Sequence, residues 1–271
     1  MGIFLFIGLA LAFLVLVPLI IKWELNKRIS LIACIFVGIS SGVITFGVSK
    51  FYPLGFLVLV ILEFLLIMII AALLILWRFY RDPERKPPEE ENSIISPADG
   101  TVIYIKRIEN GEVPFSEKNG RKFPLTEFVE SDLFSRGGYI IGISMTFLDV
   151  HVNRAPIAGR VALIKHIKGQ FFSLKKKDAI LKNERVLTVL DNDRFKIGIV
   201  QIASRLVRRI VPYIQEANMV LKGERIGMIK FGSQVDLIVP DLPSLKIEVK
   251  PQDYVKAGIT RIAVIMNGKS E

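Results

Sequence analysis

The sequence predicts a mainly-β domain, a sandwich or barrel, joined to an N-terminal anchor of three transmembrane helices. Three observations predict it. The first 77 residues contain three apolar runs, a charged and proline-rich segment follows, and short Val- and Ile-rich runs separated by turn residues fill the remainder. With 51% of its 271 residues hydrophobic, the chain is also too apolar for an ordinary soluble protein.

The three apolar runs have the length of membrane spans. They are Ile3–Ile21, Ile29–Val48 and Leu54–Trp77. About 20 helical residues cross a hydrocarbon layer of ~30 Å, and a helix satisfies its own backbone hydrogen bonds in lipid. We therefore predict a helical anchor over 1–77, a linker over 78–95 and a compact domain over 96–271.

The distribution of basic residues predicts the orientation of the anchor. Basic side chains occur between the first two spans and after the third, at Lys22, Lys27, Arg28, Arg78, Arg81, Arg85 and Lys86. Three spans place these two regions on the same side, and the positive-inside rule makes that side the cytoplasm. We expect a multi-pass protein of the cell membrane with a cytoplasmic domain.

One carboxylate lies within the predicted anchor. Glu63 is inside the third span, where an ionised carboxylate costs about 2.5–3.5 kcal/mol or more. A protonated or inward-facing side chain that helps the helices to pack is one interpretation, and a functional group is the other. Gly38, Ser40, Ser41 and Gly42 in the second span are small enough for close helix contact.

Charge and residue counts restrict the function of the domain. Residues 78–271 contain 32 of the 36 basic and 24 of the 26 acidic side chains. The basic series Arg205, Arg208 and Arg209 is either a solvated face or a contact for anionic lipid headgroups. The sequence shows no nucleic-acid motif, so we expect no nucleic-acid partner. Cys34 is the single cysteine, and His151 and His166 are the two histidines, so we expect no disulfide and no metal centre.

Nine segments after the linker predict strands. They are Thr101–Ile105, Tyr139–Met145, Arg160–His166, Arg185–Leu190, Ile197–Ile202, Arg225–Phe231, Val235–Val239, Leu245–Val249 and Thr260–Met266. Glu127–Phe134 is a weak helix candidate, and Ala203–Tyr213 fits either a strand or a helix. Periodicity does not determine the topology of the sheet.

Three local patterns in the domain contain residues suited to chemistry. Ser96–Gly100 includes Asp99 but is also typical of a turn into a strand. In Asp149–Pro156, His151 and Asn153 would share one face of an extended segment. In Gly227–Asp236, a glycine precedes Ser233 and permits unusual backbone angles, which could favour attack by the serine hydroxyl on the preceding carbonyl. Each pattern alone also has an ordinary structural explanation.

Together with three further segments, these patterns resemble the phosphatidylserine decarboxylase proenzymes of the shorter bacterial and archaeal type. The segments keep the family's order and spacing over most of 79–267, and they are Phe79–Pro83, Ser96–Gly100, Asp149–Pro156, Gly169–Phe172, Asn183–Arg185 and Gly227–Asp236. The resemblance implies that the chain cuts itself between Gly232 and Ser233. The products would be a β chain, 1–232, and an α chain, 233–271, in which Ser233 becomes a covalent pyruvoyl cofactor.

The resemblance also implies roles for individual residues. Asp99, His151 and Ser233 would act together in cleavage, because a serine hydroxyl needs a base and the base needs an orienting group. His151 would also position the substrate carboxylate or return a proton to carbon. The substrate site would include Arg154, Phe171 and Phe172. Arg154 stands where the longer bacterial type has a second histidine, and it could bind phosphate or carboxylate.

The implied reaction converts phosphatidylserine to phosphatidylethanolamine with release of carbon dioxide. The implied partners are a phosphoserine lipid in the membrane and the two chains of one precursor, and a homo-oligomer is left open. Three alternatives also remain open. They are decarboxylation of archaetidylserine, which has ether-linked chains, an uncleaved scaffold that binds anionic lipid, and a peptidase that uses Ser233 on other proteins.

Overall fold

The computed structural model describes most of the chain. The described residues are 1–22, 27–109, 112–116, 122–124, 137–146, 148–170, 172, 182–203, 209–230 and 233–266. They form two compact units. The helical unit comprises Met1–Arg81 with Thr146–Leu148, and the β unit comprises Asp82–Met145 with Asp149–Glu271. The domain limits predicted from the sequence stay a prediction.

Three long apolar helices build the helical unit. They are α1 (Gly2–Lys22), α2 (Lys27–Phe51) and α3 (Phe56–Tyr80). Each is long and apolar enough to cross a membrane. The predicted spans agree with them to within a few residues, and α3 extends three residues beyond Trp77 because no proline or glycine interrupts it before Arg81.

The helices α1 and α2 pack closely through glycine. A Cβ atom added to Gly38 would lie only 2.9 Å from the carbonyl oxygen of Gly8, so a larger residue would separate the helices. A Cβ atom added to Gly42 would likewise lie 2.7 Å from the carbonyl oxygen of Phe4, so these two glycines provide the predicted close helix contact. Glu63 is fully buried in the same unit, and its Oε1 would lie 2.5 Å from a Cβ atom added to Gly8. The structure thus places this carboxyl inside the helical unit.

The β unit contains sixteen strands within the described residues. They are β1 (Ser93–Ile95), β2 (Gly100–Ile108), β3 (Glu112–Ser116), β4 (Lys122–Pro124), β5 (Gly138–Met145), β6 (Val152–Arg154), β7 (Gly159–Ile167), β8 (Arg185–Asp191), β9 (Lys196–Ala203), β10 (Ile210–Pro212), β11 (Met219–Val220), β12 (Arg225–Ile229), β13 (Ser233–Pro240), β14 (Leu245–Ile247), β15 (Tyr254–Val255) and β16 (Arg261–Ile265). The mainly-β prediction is confirmed.

The strands form antiparallel sheets. In the described part of the chain, the largest sheet has eight strands in the order β11-β7-β8-β9-β13-β5-β2-β15. Smaller sheets have the orders β1-β16-β14, β10-β12-β6 and β3-β4. This order was not predictable from periodicity, because β13 pairs with β5 and β9, which are distant from it in sequence.

The nine predicted strands all occur, with ends that differ by a few residues. The predicted strand over Arg225–Phe231 ends at Ile229, and Phe231 lies outside the described residues. The ambiguous segment Ala203–Tyr213 contains β10, while 204–208 lie outside the described part. The weak helix candidate Glu127–Phe134 also lies outside it.

The strand β13 lies at the centre of the large sheet, and its alternate side chains point to opposite faces of that sheet. Val235, Leu237 and Val239 point into the main apolar core, which they share with residues of β5 and β9. Gln234 and Asp236 alternate with them and therefore point to the opposite face. Both polar side chains are nonetheless buried.

Candidate active site

Ser233 is the first residue of the central strand β13. Its backbone pairs with Met145 on β5 and with Ala203 on β9, so neighbouring strands hold it on both sides. Gly232 and the Ser233 side chain lie outside the described part of the structure. The predicted cleavage point therefore lies immediately before a strand that is paired on two sides.

His151 lies immediately before β6, and its side chain is fully buried. Its ring Nδ1 is 2.8 Å from the backbone carbonyl oxygen of Asp149. A carbonyl oxygen only accepts hydrogen bonds, so Nδ1 carries the hydrogen and the neutral ring has its lone pair on Nε2. This arrangement gives His151 a defined basic nitrogen.

Two further hydrogen bonds hold the segment that orients His151. The backbone N–H of Ile229, at the end of β12, donates to the carbonyl oxygen of His151 at 3.2 Å. The Tyr254 hydroxyl donates to Oδ1 of Asp149 at 2.6 Å. Asp149 belongs to a sequence motif, but no pattern in the sequence indicates that its carbonyl would orient the histidine.

Asp99 is buried and accepts three hydrogen bonds. The Arg85 guanidinium donates to its two carboxylate oxygens at 2.5 and 2.9 Å, and the Ala257 N–H donates to Oδ1 at 2.8 Å. The hydrogen bond with Asp99 raises the pKa of Arg85. The described contacts of Asp99 and His151 thus involve different partners. The predicted role of Asp99 in orienting His151 stays a prediction.

Arg85 is a residue that sequence reasoning did not select. Its position lies in the predicted linker over 78–95, whereas the structure buries most of its side chain against Asp99. Its Nη1 also donates to the carbonyl oxygen of Ala257 at 2.7 Å. Its position in the sequence could have indicated a role near Asp99, because Arg85 lies within the charged segment that leads directly to Ser96–Gly100.

Arg154 is almost fully buried, and its terminal nitrogens bind protein oxygens. Nη1 donates to the carbonyl oxygen of Gly223 at 3.0 Å, and Nη2 donates to Asp82 at 2.9 Å and to the carbonyl oxygen of Pro83 at 3.1 Å. These contacts link the segment after α3 to the turn before β12. A role for Arg154 in binding substrate stays a prediction.

The Gly169–Phe172 and Asn183–Arg185 motifs come together beside the candidate site. The buried Asn183 amide accepts from the Phe172 N–H at 2.8 Å, and it donates to the Phe172 carbonyl oxygen at 2.8 Å. It also donates to the carbonyl oxygen of Ala203 at 2.9 Å. Because Ala203 pairs with Ser233, Asn183 connects the Phe172 segment to the predicted cleavage point. Phe171 lies outside the described residues.

Comparisons with known proteins agree with this arrangement of motifs. Residues 73–263 match the phosphatidylserine decarboxylase family. The chain belongs to that family.

Individual relatives extend the match over most of the β unit. A protein of Methanocaldococcus jannaschii, provisionally named archaetidylserine decarboxylase proenzyme, is 44% identical over 202 residues, which cover 74% of this chain and 95% of the relative. A protein of Methanothermobacter thermautotrophicus with the same provisional name is 37% identical, with coverage of 75% and 86%. The phosphatidylserine decarboxylase proenzyme of Pelobacter propionicus is 35% identical, with coverage of 67% and 73%.

In this member of the decarboxylase family, a polar network follows directly after position 233. Tyr104 donates to Oδ2 of Asp236 at 2.7 Å, and the Gln234 amide donates to the Tyr104 hydroxyl at 2.6 Å and to Oδ1 of Asp236 at 2.7 Å. Register explains the contact: Tyr104 and Asp236 both pair with Gly142 on β5. A Cβ atom added to Gly142 would lie 2.4 Å from the Tyr104 ring, so glycine lets this ring cross the strand.

Burial raises the pKa of Asp236 to about 7, although its hydrogen bonds with Gln234 and Tyr104 and the charge of Lys106 oppose this effect. Asp236 therefore binds a proton in the folded state at pH values where the unfolded chain has lost it. The contribution of Asp236 to the free energy of unfolding is therefore fully present below a pH of about 4, and it is lost as the pH rises to about 7.

We expect Asp236→Asn to remove this pH dependence, since asparagine does not titrate. The thermal midpoint of the variant minus that of the wild type should increase between about pH 4 and 7 and then become constant. One pKa unit corresponds to about 1.4 kcal/mol, so the free energy of unfolding of the wild type should fall by several kcal/mol relative to that of the variant over this pH range. Thermal unfolding at half-unit pH steps measures it, and a difference independent of pH would contradict the assignment.

The remaining predicted site residues of this family member are only partly described. Arg205 and Arg208 lie outside the described residues, and Arg209 is exposed. The carbonyl oxygen of Arg209 accepts a hydrogen bond from the Lys230 N–H at 3.2 Å, which connects it to the end of β12. Among the described residues, no cluster of three or more His, Cys, Asp and Glu side chains could hold a metal ion.

Proposed function

We propose that this chain is a self-cleaving, pyruvoyl-dependent decarboxylase that converts a phosphoserine lipid into its phosphoethanolamine counterpart and carbon dioxide. The observation that carries the proposal is the position of Ser233 in a chain of this family. It begins the central strand of the large sheet, and partners on both sides fix its backbone. The relatives' names as proenzymes support self-processing at this serine.

The cleavage step uses groups of the chain itself. Nε2 of His151 accepts the hydroxyl proton as Oγ of Ser233 attacks the Gly232 carbonyl carbon. The Gly232–Ser233 C–N bond breaks, the Ser233 nitrogen takes a proton, and an ester remains. Loss of the Cα proton then expels the ester oxygen as the Gly232 carboxylate and leaves dehydroalanine at 233. Water replaces the nitrogen, which departs as ammonia, and the residue becomes pyruvoyl.

The geometry of β13 suits a group at the new amino terminus of the α chain. Residues 233–240 remain paired with β5, and most of them also with β9, after the preceding bond is broken. The Gln234 side chain is anchored to Tyr104 and Asp236. The terminal residue therefore stays in place without its former covalent neighbour.

A pyruvoyl group supplies an electron-withdrawing carbonyl to an amine substrate. Side chains of the protein perform the other steps, which are substrate positioning and proton transfer. We assign to His151 the positioning of the substrate carboxylate or the delivery of a proton to the carbon that loses carbon dioxide. Its fixed Nδ1 contact leaves Nε2 as the atom that carries this proton. We place the Phe172 segment along the substrate because Asn183 holds it against Ala203.

A specific observation favours archaetidylserine as a second candidate substrate. The two archaeal relatives with 44% and 37% identity are both provisionally named for that lipid. Archaetidylserine has the same serine headgroup with ether-linked chains, so the same residues would serve. We further propose that the three helices span the cell membrane and that the β unit is cytoplasmic, as the basic loops indicate.

Denaturing gel electrophoresis of the folded protein tests the proposal. We expect fragments 1–232 and 233–271, the second blocked to Edman sequencing, together with carbon dioxide release from diester or diether serine lipids. An uncleaved scaffold would remain full length and release no carbon dioxide. A peptidase acting on other proteins would be active with an unmodified Ser233. Either result would contradict the proposal.

A further inference from the structure

A buried pair of amide side chains connects β9 of the large sheet with β6 of the three-stranded sheet. Nε2 of Gln201 on β9 donates a hydrogen bond to Oδ1 of Asn153 on β6 at 2.8 Å. The two residues are only 1% and 0% exposed. Because a buried amide that loses its partner costs free energy, this hydrogen bond fixes the two strands relative to one another.

Gln201 lies against both ends of the segment that contains the proposed cleavage point. On one side, its backbone pairs with Val235 on β13. On the other side, a Cβ atom added to Gly227 on β12 would lie 3.3 Å from Nε2 of Gln201, so the glycine leaves room for this amide. The residues between the two contacts, 228–234, include the proposed cleavage point. One side chain therefore holds the beginning and the end of this segment together.

Asn153 connects the amide pair to the segment that carries the proposed catalytic histidine. It follows His151 by two residues, and its backbone pairs with Gly227 on β12. Its Nδ2 also donates to the carbonyl oxygen of Pro97 at 3.3 Å. The amide pair thus joins three of the segments that carry the family resemblance, which are Ser96–Gly100, Asp149–Pro156 and Gly227–Asp236.

We propose that Gln201 and Asn153 are positioning residues for self-cleavage, which fix the segment containing the Gly232–Ser233 bond relative to the segment of His151. The inference rests on the proposed function and assigns to it two residues that act through others, since neither amide takes part in the bond changes. Attack of a hydroxyl on a carbonyl carbon requires close and oriented approach, and a displacement of about 1 Å costs roughly a hundredfold in rate. A hydrogen bond that sets the distance between the two segments therefore controls the cleavage rate.

Gln201→Met tests this role, because methionine keeps the length of the side chain and removes the amide. In the full-length precursor, made by cell-free synthesis in nanodiscs, we expect cleavage to slow by roughly a hundredfold. Leu190→Ala is the control, since Leu190 lies in the main core on β8, outside the three joined segments. It should lower stability and leave the cleavage rate of the folded precursor unchanged. Chemical denaturation of each variant in the Ser233→Ala background measures the loss of stability.

Hydroxylamine identifies the step that the amide pair affects. Its nitrogen attacks an ester carbonyl, so it releases fragment 1–232 as a hydroxamate, and Ser233 with a free hydroxyl and amine, from any precursor in which the ester has formed. If Gln201 positions the first attack, hydroxylamine leaves the cleavage of Gln201→Met slow because little ester forms. Rapid cleavage in hydroxylamine would place the defect in the later elimination and would overturn the inference.

Asn153→Ala is a second variant, which decides the question if Gln201→Met does not fold. It should slow cleavage at least as much as Gln201→Met, since it removes the same hydrogen bond and the contact with Pro97. The double variant should be no slower than Asn153→Ala alone, because both changes act through one hydrogen bond. Either single variant cleaving as fast as Leu190→Ala, or effects that multiply in the double variant, would overturn the inference. A wild-type precursor that does not cleave itself would instead overturn the proposed function.

Discussion

Ser233→Ala leaves the chain as one polypeptide of 271 residues and abolishes carbon dioxide release, because alanine has no hydroxyl to attack the Gly232 carbonyl. The expected loss is complete, since in the proposed mechanism the same atom begins cleavage and the same residue supplies the cofactor. Intact-mass measurement of the purified protein, with a carbon dioxide assay on the same sample, checks both effects.

Ser233→Cys is the matched control for this loss. A thiol is also a nucleophile, and elimination from the resulting thioester gives the same dehydroalanine, so some cleavage should persist at a changed rate. Carbon dioxide release by the Ser233→Ala protein would exclude a cofactor derived from this residue. An uncleaved but active Ser233→Cys protein would lead to the same conclusion.

Arg85→Met should lower the free energy of unfolding by about 3–5 kcal/mol, because it leaves the Asp99 carboxylate buried without its charge partner. The two side chains are only 7% and 3% exposed, so water does not compensate for the loss. Chemical denaturation in the Ser233→Ala background measures this change on a single uncleaved chain. The double variant Arg85→Met, Asp99→Asn should recover part of the stability, since the buried charge is removed.

The exposed pair of Arg107 and Asp241 provides the control for this prediction. Its side chains are 59% and 50% exposed, and their oxygen and nitrogen atoms are 3.3 Å apart. Arg107→Met should therefore cost at most about 1 kcal/mol. Equal decreases in the free energy of unfolding for Arg85→Met and Arg107→Met would contradict the prediction, because the buried pair of Arg85 and Asp99 would then contribute no more stability than an exposed pair.

Local sequence patterns predicted the elements of this fold well. Three apolar runs of membrane-span length and nine Val- and Ile-rich segments identified the helices and the long strands, because burial imposes a period on those residues. The strands β1, β3, β4, β6, β11 and β15 were missed. All of them except β3 contain only two or three residues, too few for a pattern, and β6, β11 and β15 pair with distant segments.

The candidate site was predictable in its motifs and not in its contacts. Asp99, His151 and Ser233 stood out because they occur in ordered, spaced segments. The backbone carbonyl that fixes Nδ1 of His151 has no signature, since every residue has a carbonyl. Arg85 was missed because a single arginine beside prolines and glutamates is typical of a solvated linker. Its burial depends on how the segment packs against Asp99 and Ala257.

The last four strands are inserted among earlier strands in two sheets, and this arrangement affects how the protein refolds after denaturation. Residues after the proposed cleavage point supply β13 to the middle of the large sheet, β15 to its edge, and β14 and β16 to the sheet that contains β1. The precursor forms all of these pairings within one molecule. Once the bond is broken, recovery from denaturation requires a 39-residue fragment to find its larger partner again. We therefore expect renaturation of the mature protein to depend on concentration, whereas the uncut Ser233→Ala chain should refold at a rate independent of it.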